Sequence, residues 1–257
     1  MIDLHCHVLP GVDDGPAELA GALELARGAA GAGITTIAAT PHVDWSHPAN
    51  DAARIAAAVD ALQGELDAAG IDVRVVPGAE VAVTRAVDLP DDELRALTLG
   101  GGPWLLLECP LSPALAPGFG AAARSLAVRG HRLLLAHPER SPAFQRDPGA
   151  LADLVAGGML AQVTAGSLTG RIGRTVRDTA LRMVRDGTVH VAASDAHGPG
   201  REASIAAELG EAGLEALAPW LGRDAPAAIL AGEPLPPRPE APEPARRGLR
   251  RLLRSRA

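Results

Sequence analysis

The 257-residue chain contains no lysine and no tyrosine, and all 24 of its basic residues are arginine. Ala, Gly, Arg and Pro are abundant throughout, which marks a compositional bias rather than a functional signal. No GK[ST] follows Gly100-Gly101-Gly102, so that run reads as a turn and not as a nucleotide loop. Long apolar runs are also missing, and none approaches the ~18 residues of a bilayer span. The opening MIDLHCH has neither a basic n-region nor an apolar h-region, which argues against a secretory signal. With only two cysteines, Cys6 and Cys109, a reducing cytoplasm is the expected location. Thiol-based phosphatases need Cys-x5-Arg, but Val12 and Leu115 stand six positions after the two cysteines, which excludes that chemistry. Positive charge is scarce over most of the chain. Seven Arg and three Glu lie from Glu233 to Ala257, leaving 17 Arg against 28 Asp and Glu, or −11, for the rest. An acidic body argues against nucleic acid as a partner.

The hydrophobic fraction of 47% and charged fraction of 21% suit a globular protein long enough for one α/β barrel or two small domains. Short apolar runs alternate with Ala- and Leu-rich segments. Strands are expected at Ile2–His5, Thr36–Thr40, Val73–Val76, Leu105–Glu108, Leu133–His137, Leu160–Thr164 and Val189–Ser194. Helical patterns fall at 17–32, 49–69, 113–129, 142–156, 172–186 and 201–212. Alternation of this kind implies parallel strands joined by right-handed crossovers. From Gly232 the composition changes to EPLPPRPEAPEPA and then ARRGLRRLLRSRA. Residues 1–232 are therefore expected to form one domain, and 233–257 an unstructured Pro-rich linker with a basic tail.

Histidines and carboxylates mark the C-terminal ends of six of the seven strands. They are His5, His7, Asp14, His42, Glu80, Glu108, His137, Asp195 and His197. Imidazole and carboxylate suit Mn, Fe or Zn, and nine such groups exceed the needs of one ion. In His5-x-His7, residues i and i+2 share a strand face, so both rings can reach one ion. Each cysteine adjoins a candidate ligand, so inward ligands would turn both thiols toward the helix layer as inert packing. An open doubly wound sheet is the alternative fold, but it would not gather all these strand ends. A closed, seven-stranded, distorted (β/α) barrel does so, with the metal site at the C-terminal face. His47, His131 and His190 lack this context.

The segments MIDLHCHVLPGVDDGP, ATPH, GAE, LLLECP, LAHPER, QVTAGSLTG and ASDAH resemble, in order and spacing, the PHP (polymerase and histidinol phosphatase) superfamily. Within it they most resemble the bacterial manganese-dependent tyrosine phosphatases of the CpsB/CapC/YwqE type, over about residues 1–232. The resemblance implies a PHP-type (β/α)7 barrel holding three divalent ions, manganese first, with iron or zinc as alternatives. His5, His7, Glu80 and Asp195 would hold one ion. Glu80 would bridge to a second held by Glu108 and His137, and Asp14, His42 and His197 would hold the third. Arg140 and Arg201 would bind phosphate oxygens, since a planar guanidinium bonds two at once. In this chain HGPGR is about one residue shorter than is usual before that second arginine. Ala82 stands where relatives often carry a basic residue, and Arg85 is the candidate to compensate.

Bound ions neutralise a phosphate dianion and lower the pKa of water, giving hydroxide near neutral pH. A phenolate leaving group, with a pKa of about 10, needs no strong general acid. The resemblance implies a tyrosine-phosphorylated protein as substrate, a membrane-associated tyrosine autokinase of capsular or exopolysaccharide synthesis. The Arg-rich 246–256 segment would make weak contact with anionic lipid at the inner membrane face. Two other functions fit the same residues. One is a small-molecule phosphatase, histidinol-phosphatase-like, or a phosphodiesterase of the PHP superfamily. The other is a metal-binding regulatory module without turnover.

Overall fold

Parallel strands with alternating apolar faces, each followed by a covering segment, close here into a ring. The computed structural model describes residues 1–114 and 117–240. Its strands are β1 (Ile2–Cys6), β2 (Thr36–Ala39), β3 (His42–Val43), β4 (Arg74–Pro77), β5 (Glu80–Ala82), β6 (Trp104–Glu108), β7 (Arg132–Ala136), β8 (Leu160–Thr164) and β9 (Val191–Ala193). Every ladder is parallel, in the orders β1-β2-β4 and β3-β5-β6-β7-β8-β9. β2 and β3 are halves of one stave, interrupted at Thr40-Pro41, where proline has no N–H to give a ladder. β4 and β5 form a second interrupted stave, so nine strands make seven staves. Backbone bonds join the two sheets, from Thr40 N to the Cys6 carbonyl (3.0 Å) and from Glu80 N to the Pro41 carbonyl (3.2 Å). The ring closes where Asp195 N donates to the His5 carbonyl (2.8 Å) and His7 N to the Ala196 carbonyl (2.9 Å). This is the expected seven-stave α/β barrel, distorted by its two broken staves, and not an open sheet.

The helices are α1 (Leu19–Gly31), α2 (Ala52–Ala68), α3 (Val83–Ala86), α4 (Asp91–Ala96), α5 (Phe119–Val128), α6 (Pro142–Arg146), α7 (Pro148–Ala156), α8 (Ala165–Thr169), α9 (Arg174–Arg185), α10 (Ile205–Glu211) and α11 (Ala225–Ala231). The helix expected over 142–156 is two. Asp147 accepts from Gly149 N (3.1 Å) and Ala150 N (3.4 Å), and Pro148 opens the second helix behind that cap. The expected 113–129 helix is reduced to α5, and two of its residues, 115 and 116, lie outside the described part.

Alternation along the staves divides the apolar residues between two clusters. Leu105, Leu107, Leu133, Leu135, Ala161, Val163 and Ala192 point outward into the layer beneath the helices. Ala38, Leu106, Leu134, Ala136, Val191 and Ala193 point into the barrel, with Leu99, Trp104 and Ile229 at its N-terminal end. Filling both faces excludes water from the strands, and each buried Leu is worth about 2–3 kcal/mol. β1 has one extra residue between Asp3 and Cys6 relative to β2. This bulge resets its alternation, so Leu4 joins the inner cluster while Cys6 lies in the outer one. Cys6 and Cys109 are both buried and unpaired, and burial pushes both thiols well above their ordinary pKa.

The expected linker begins differently from its sequence reading. Residues 233–240 lie against the barrel: Leu235 packs on the core, and Trp220 Nε1 donates to the Pro236 carbonyl (3.1 Å). The Arg238 guanidinium sits 5.5 Å from the Trp220 ring and donates to the Val184 carbonyl. Apolar contacts and a cation–π pairing thus hold a segment that cannot form a helix. The Arg246–Arg256 tail lies outside the described residues. Among the described residues, no helix is long and apolar enough to cross a membrane.

Candidate metal centre

All nine residues marked in the sequence meet at the C-terminal end of the barrel. At the centre is Glu80, 1% exposed, at the start of β5. Its Oε1 lies 2.8 Å from His137 Nε2, and its Oε2 lies 3.3 Å from His5 Nε2, 3.4 Å from His7 Nε2 and 3.2 Å from His42 Nδ1. Asp195 Oδ1 lies 3.5 Å from His5 Nε2 and 3.7 Å from His7 Nε2. A more open group lies above this. There Asp14 Oδ1 is 3.5 Å from His42 Nε2 and 3.2 Å from His197 Nε2. Three sets of ligand atoms lie close enough to share a cation: His7, Asp14, His42 and His197; His5, His7 and Glu80; and His42, Glu80 and Glu108. His42 therefore stands between two groups, whereas the resemblance assigned it to one.

Backbone geometry aims several of these side chains. His137 (φ 34°) and Asp195 (φ 52°) are the only non-glycine residues with positive φ among the described residues. Such backbone is costly for a residue with a Cβ and persists where the surroundings impose it. For His137 it matters because Ala136 already faces inward, so simple alternation would send the next side chain outward.

Hydrogen bonds fix the rings. His5 Nδ1 pairs with Gln162 Oε1 (3.0 Å), which also accepts from His137 N (3.4 Å). His7 Nδ1 pairs with Asp13 Oδ2 (2.6 Å), and the same oxygen accepts from His42 N (3.0 Å). With each Nδ1 turned to its partner, the two Nε2 atoms point at the centre, 3.2 Å apart. Gly15 lets the Asp13 loop approach, because a Cβ there would collide with the His7 carbonyl. Asp13 and Gln162 were missed as site residues. Asp13 adjoins the marked Asp14, and Gln162 opens the polar end of β8. Asp3, which accepts from the Ser194 hydroxyl and backbone N, is likewise absent from the marked residues.

The electrostatics are those of a crowded site. Burial opposes ionisation of Glu80, but His5 and His137 outweigh it and hold the carboxyl well below its ordinary pKa. Burial likewise opposes charge on Asp195, yet His5 and His137 bring its pKa to about 2. His7 is raised to about 10, because Asp13 and Glu80 overcome its burial. Burial and the stacked His7 ring, 3.9 Å away between centroids, lower His197 to about 4. Burial and the Glu80 charge raise Glu108 to about 8.

The donor set fits divalent cations. His42 Nδ1 and His137 Nδ1 are buried without a hydrogen-bond partner. His42 Nδ1 lies 3.2 Å from Glu80 Oε2 without making a hydrogen bond to it, and the two residues belong with Glu108 to one of the sets close enough to share a cation. On the far side of Asp195, Oδ2 accepts from Arg140 Nη1 (2.6 Å) and lies 2.8 Å from Arg201 Nη2. Both arginines marked in the sequence thus meet one carboxylate oxygen. The shorter HGPGR segment does not keep Arg201 away, although Arg201 is 45% exposed and Arg140 20%. Arg85 lies elsewhere, over the exposed Trp45 ring at 4.8 Å. His131 pairs with Asp91 (2.8 Å) and His190 with Ala161 N (3.2 Å), both outside the site, while His47 stacks on His42 at 5.7 Å.

Fold and site together define a parallel (β/α)7 barrel with a clustered histidine–carboxylate centre at its C-terminal face. Residues 1–229 match the family described as capsular polysaccharide synthesis, CpsB/CapC, and the chain belongs to that family. It is 35% identical over 198 residues to the tyrosine-protein phosphatase YwqE of Bacillus subtilis (strain 168), covering 77% of each chain. To the putative tyrosine-protein phosphatase CapC of Staphylococcus aureus it is 31% identical over 199 residues, again 77% of each. A solved structure from the pair YwqE of Bacillus subtilis and CpsB of Streptococcus pneumoniae, described as metal-dependent tyrosine phosphatases, superposes with a TM-score of 0.79. It is 31% identical, over 94% of this chain and 99% of its own. A phosphotriesterase from Mycobacterium tuberculosis, at 14% identity and TM-score 0.50, shares the fold alone, over 82% of this chain and 84% of its own.

Proposed function

We propose that this protein is a metal-dependent tyrosine phosphatase acting on phosphotyrosyl protein in capsular or exopolysaccharide synthesis. The observation that carries the reading is Asp195. One of its carboxylate oxygens joins the His5–His7–Glu80 cluster, while the other touches two guanidinium groups. His5, His7, Glu80 and Asp195 would hold one ion, Glu80, Glu108 and His137 a second, and Asp14, His42 and His197 a third. Manganese is the proposed metal. Divalent ions would neutralise phosphate charge and lower the pKa of water that they bind.

The chain's own residues do the rest. Asp13 and Gln162 hold the His7 and His5 rings with their Nε2 atoms facing the centre. Each of Arg140 and Arg201 has five N–H donors and spends few of them on Asp195, so the others remain for phosphoryl oxygens. Arg140 is the more buried and sits in the turn after His137, so it is the firmer phosphate ligand. A phenolate with a pKa of about 10 departs without a positioned strong acid. The proposed substrate is a membrane-associated tyrosine autokinase met in the cytoplasm, with the 246–256 arginines touching anionic lipid.

The test is elemental analysis of the purified protein, followed by turnover of a phosphotyrosyl peptide with and without manganese. About three manganese equivalents and metal-stimulated, vanadate-sensitive release of phosphate are expected. Faster turnover of histidinol phosphate than of the peptide would replace this reading with a small-molecule phosphatase. Inactivity of the loaded protein on every phosphoester would leave a regulatory module. Equal partitioning of full-length and 1–240 protein onto anionic vesicles would remove the lipid contact.

A further inference from the structure

Three guanidinium groups, not two, line the cleft beside Asp195. It measures about 310 Å³ and is bounded by Arg140, Arg171, Ile172, Arg201, Glu202 and Glu208 among others. Arg140 and Arg201 touch Asp195 and so adjoin the metal cluster. Arg171 instead belongs to the outer wall. It follows α8 in the turn before α9, where Arg171 N donates to the Gly166 carbonyl (3.2 Å). Its Nη1 lies 3.2 Å from Glu208 Oε1 and 3.6 Å from Glu202 Oε2.

The two partners are unlike each other. The Glu208 side chain is 4% exposed and is held by the Ser204 hydroxyl (3.1 Å), whereas the Glu202 side chain is 59% exposed and accepts from Gly200 N (2.9 Å) at the surface. Arg171 itself is 48% exposed. One end of the guanidinium is therefore anchored to a carboxylate built into the wall, and much of the rest stands open to the cleft and to water. A free arginine loses rotamer entropy when it grips a ligand, but one pinned at Nη1 has already lost much of it. Ile172, a large apolar side chain 42% exposed, lines the same cleft. An apolar contact and a fixed cation next to a phosphate-binding pair suit a side chain that carries an aromatic ring and a neighbour that carries a second charge.

We propose that Arg171 binds a second anionic group of the phosphotyrosyl substrate, close in sequence to the scissile phosphotyrosine, with Glu208 as its positioning residue. The group is a carboxylate or another phosphoryl, which share the oxygen geometry that a guanidinium fork accepts. The exposed Glu202 swings away when that group arrives, while Glu208 stays. This inference rests on the phosphatase reading and deepens it by naming what the site selects.

The experiment compares three phosphotyrosyl peptides on the full-length, manganese-loaded protein, with alanine, glutamate or a second phosphotyrosine beside the scissile residue. The wild-type protein is expected to show a KM about fivefold lower for the two anionic peptides at similar kcat. In Arg171→Gln the KM ratio between anionic and alanine peptides collapses toward one. Arg171→Lys retains part of the preference for the anionic peptides, and Glu208→Gln weakens that preference without abolishing it. Preference for glutamate alone or phosphotyrosine alone identifies which anion is read. Equal KM values for all three wild-type peptides overturn the role of Arg171 and leave the phosphatase reading standing. So do losses in the variants that fall equally on every peptide. If the wild-type protein turns over none of the three, the phosphatase reading fails, and this one with it.

Discussion

The two ends of the barrel are made from the same staves and have opposite chemistry. At the N-terminal end the inward positions are Leu106, Leu134, Val191 and Trp104, closed by Ile229 and Leu99. A few residues further along, the same staves present Glu108, His137 and Asp195. The lower half gains stability by excluding water. The upper half buries Glu80, Asp195, His5 and His7 almost completely, which is expensive unless opposite charges or cations compensate. Stability is concentrated at one end so that the other can hold an arrangement that opposes folding.

The sharpest break of this contrast is at Glu80. Glu80→Ala should remove the centre of all the close contacts, with bound metal lost and peptide turnover down by about 10³-fold or more, checked by elemental analysis and kinetics. The fold should survive, because the lower half is untouched. The converse is Leu134→Ala, which should cost about 3 kcal/mol in urea unfolding while metal bound per folded molecule stays unchanged. Next is the arginine pair. Arg140→Ala should keep the metal but lower kcat/KM by about 10²-fold, and Arg201→Ala, at the more exposed position, by about tenfold. Weakened inhibition by inorganic phosphate would separate these losses from metal loss.

The smallest effect belongs to the closed end. Burial, aided by the Arg238 charge, lowers His190 to about 4. Between that value and the unfolded ~6.5, the unfolded chain binds the proton and the folded one does not. Stability from His190 is therefore present above about pH 6.5 and lost as the pH falls toward 4. His190→Asn, which can still accept from Ala161 N, should flatten the fall in unfolding midpoint across that window.

Much of the upper half was legible because its chemistry is periodic. His5-x-His7 shares a face whatever the twist, and parallel staves bring successive C-terminal ends together. The resemblance supplied what periodicity could not. Alternation points His137 outward behind Ala136, and only its left-handed backbone returns it to the site. β3 and β5 are too short, at two and three residues, to show any pattern of their own. Asp13 and Asp14 are indistinguishable in sequence, yet one orients His7 while the other faces His42 and His197. α11 gives little local signal. It is a short Ala-rich helix whose Ile229 matters only once the barrel exists to be closed. The 233–240 segment is similar, since its hold on the protein depends on Trp220 and Val184, distant in sequence.

The three tryptophans divide the molecule among themselves. Trp45 is 59% exposed beneath Arg85, Trp104 is sealed at the closed end, and Trp220 lies under the Pro236–Arg238 segment. Because the chain has no tyrosine, its emission spectrum comes from these three indoles alone. Single-tryptophan variants would then report separately, by fluorescence, on the loop after His42, the apolar plug and the strap. Any phenolic signal that emerged in such a cuvette would belong to the substrate.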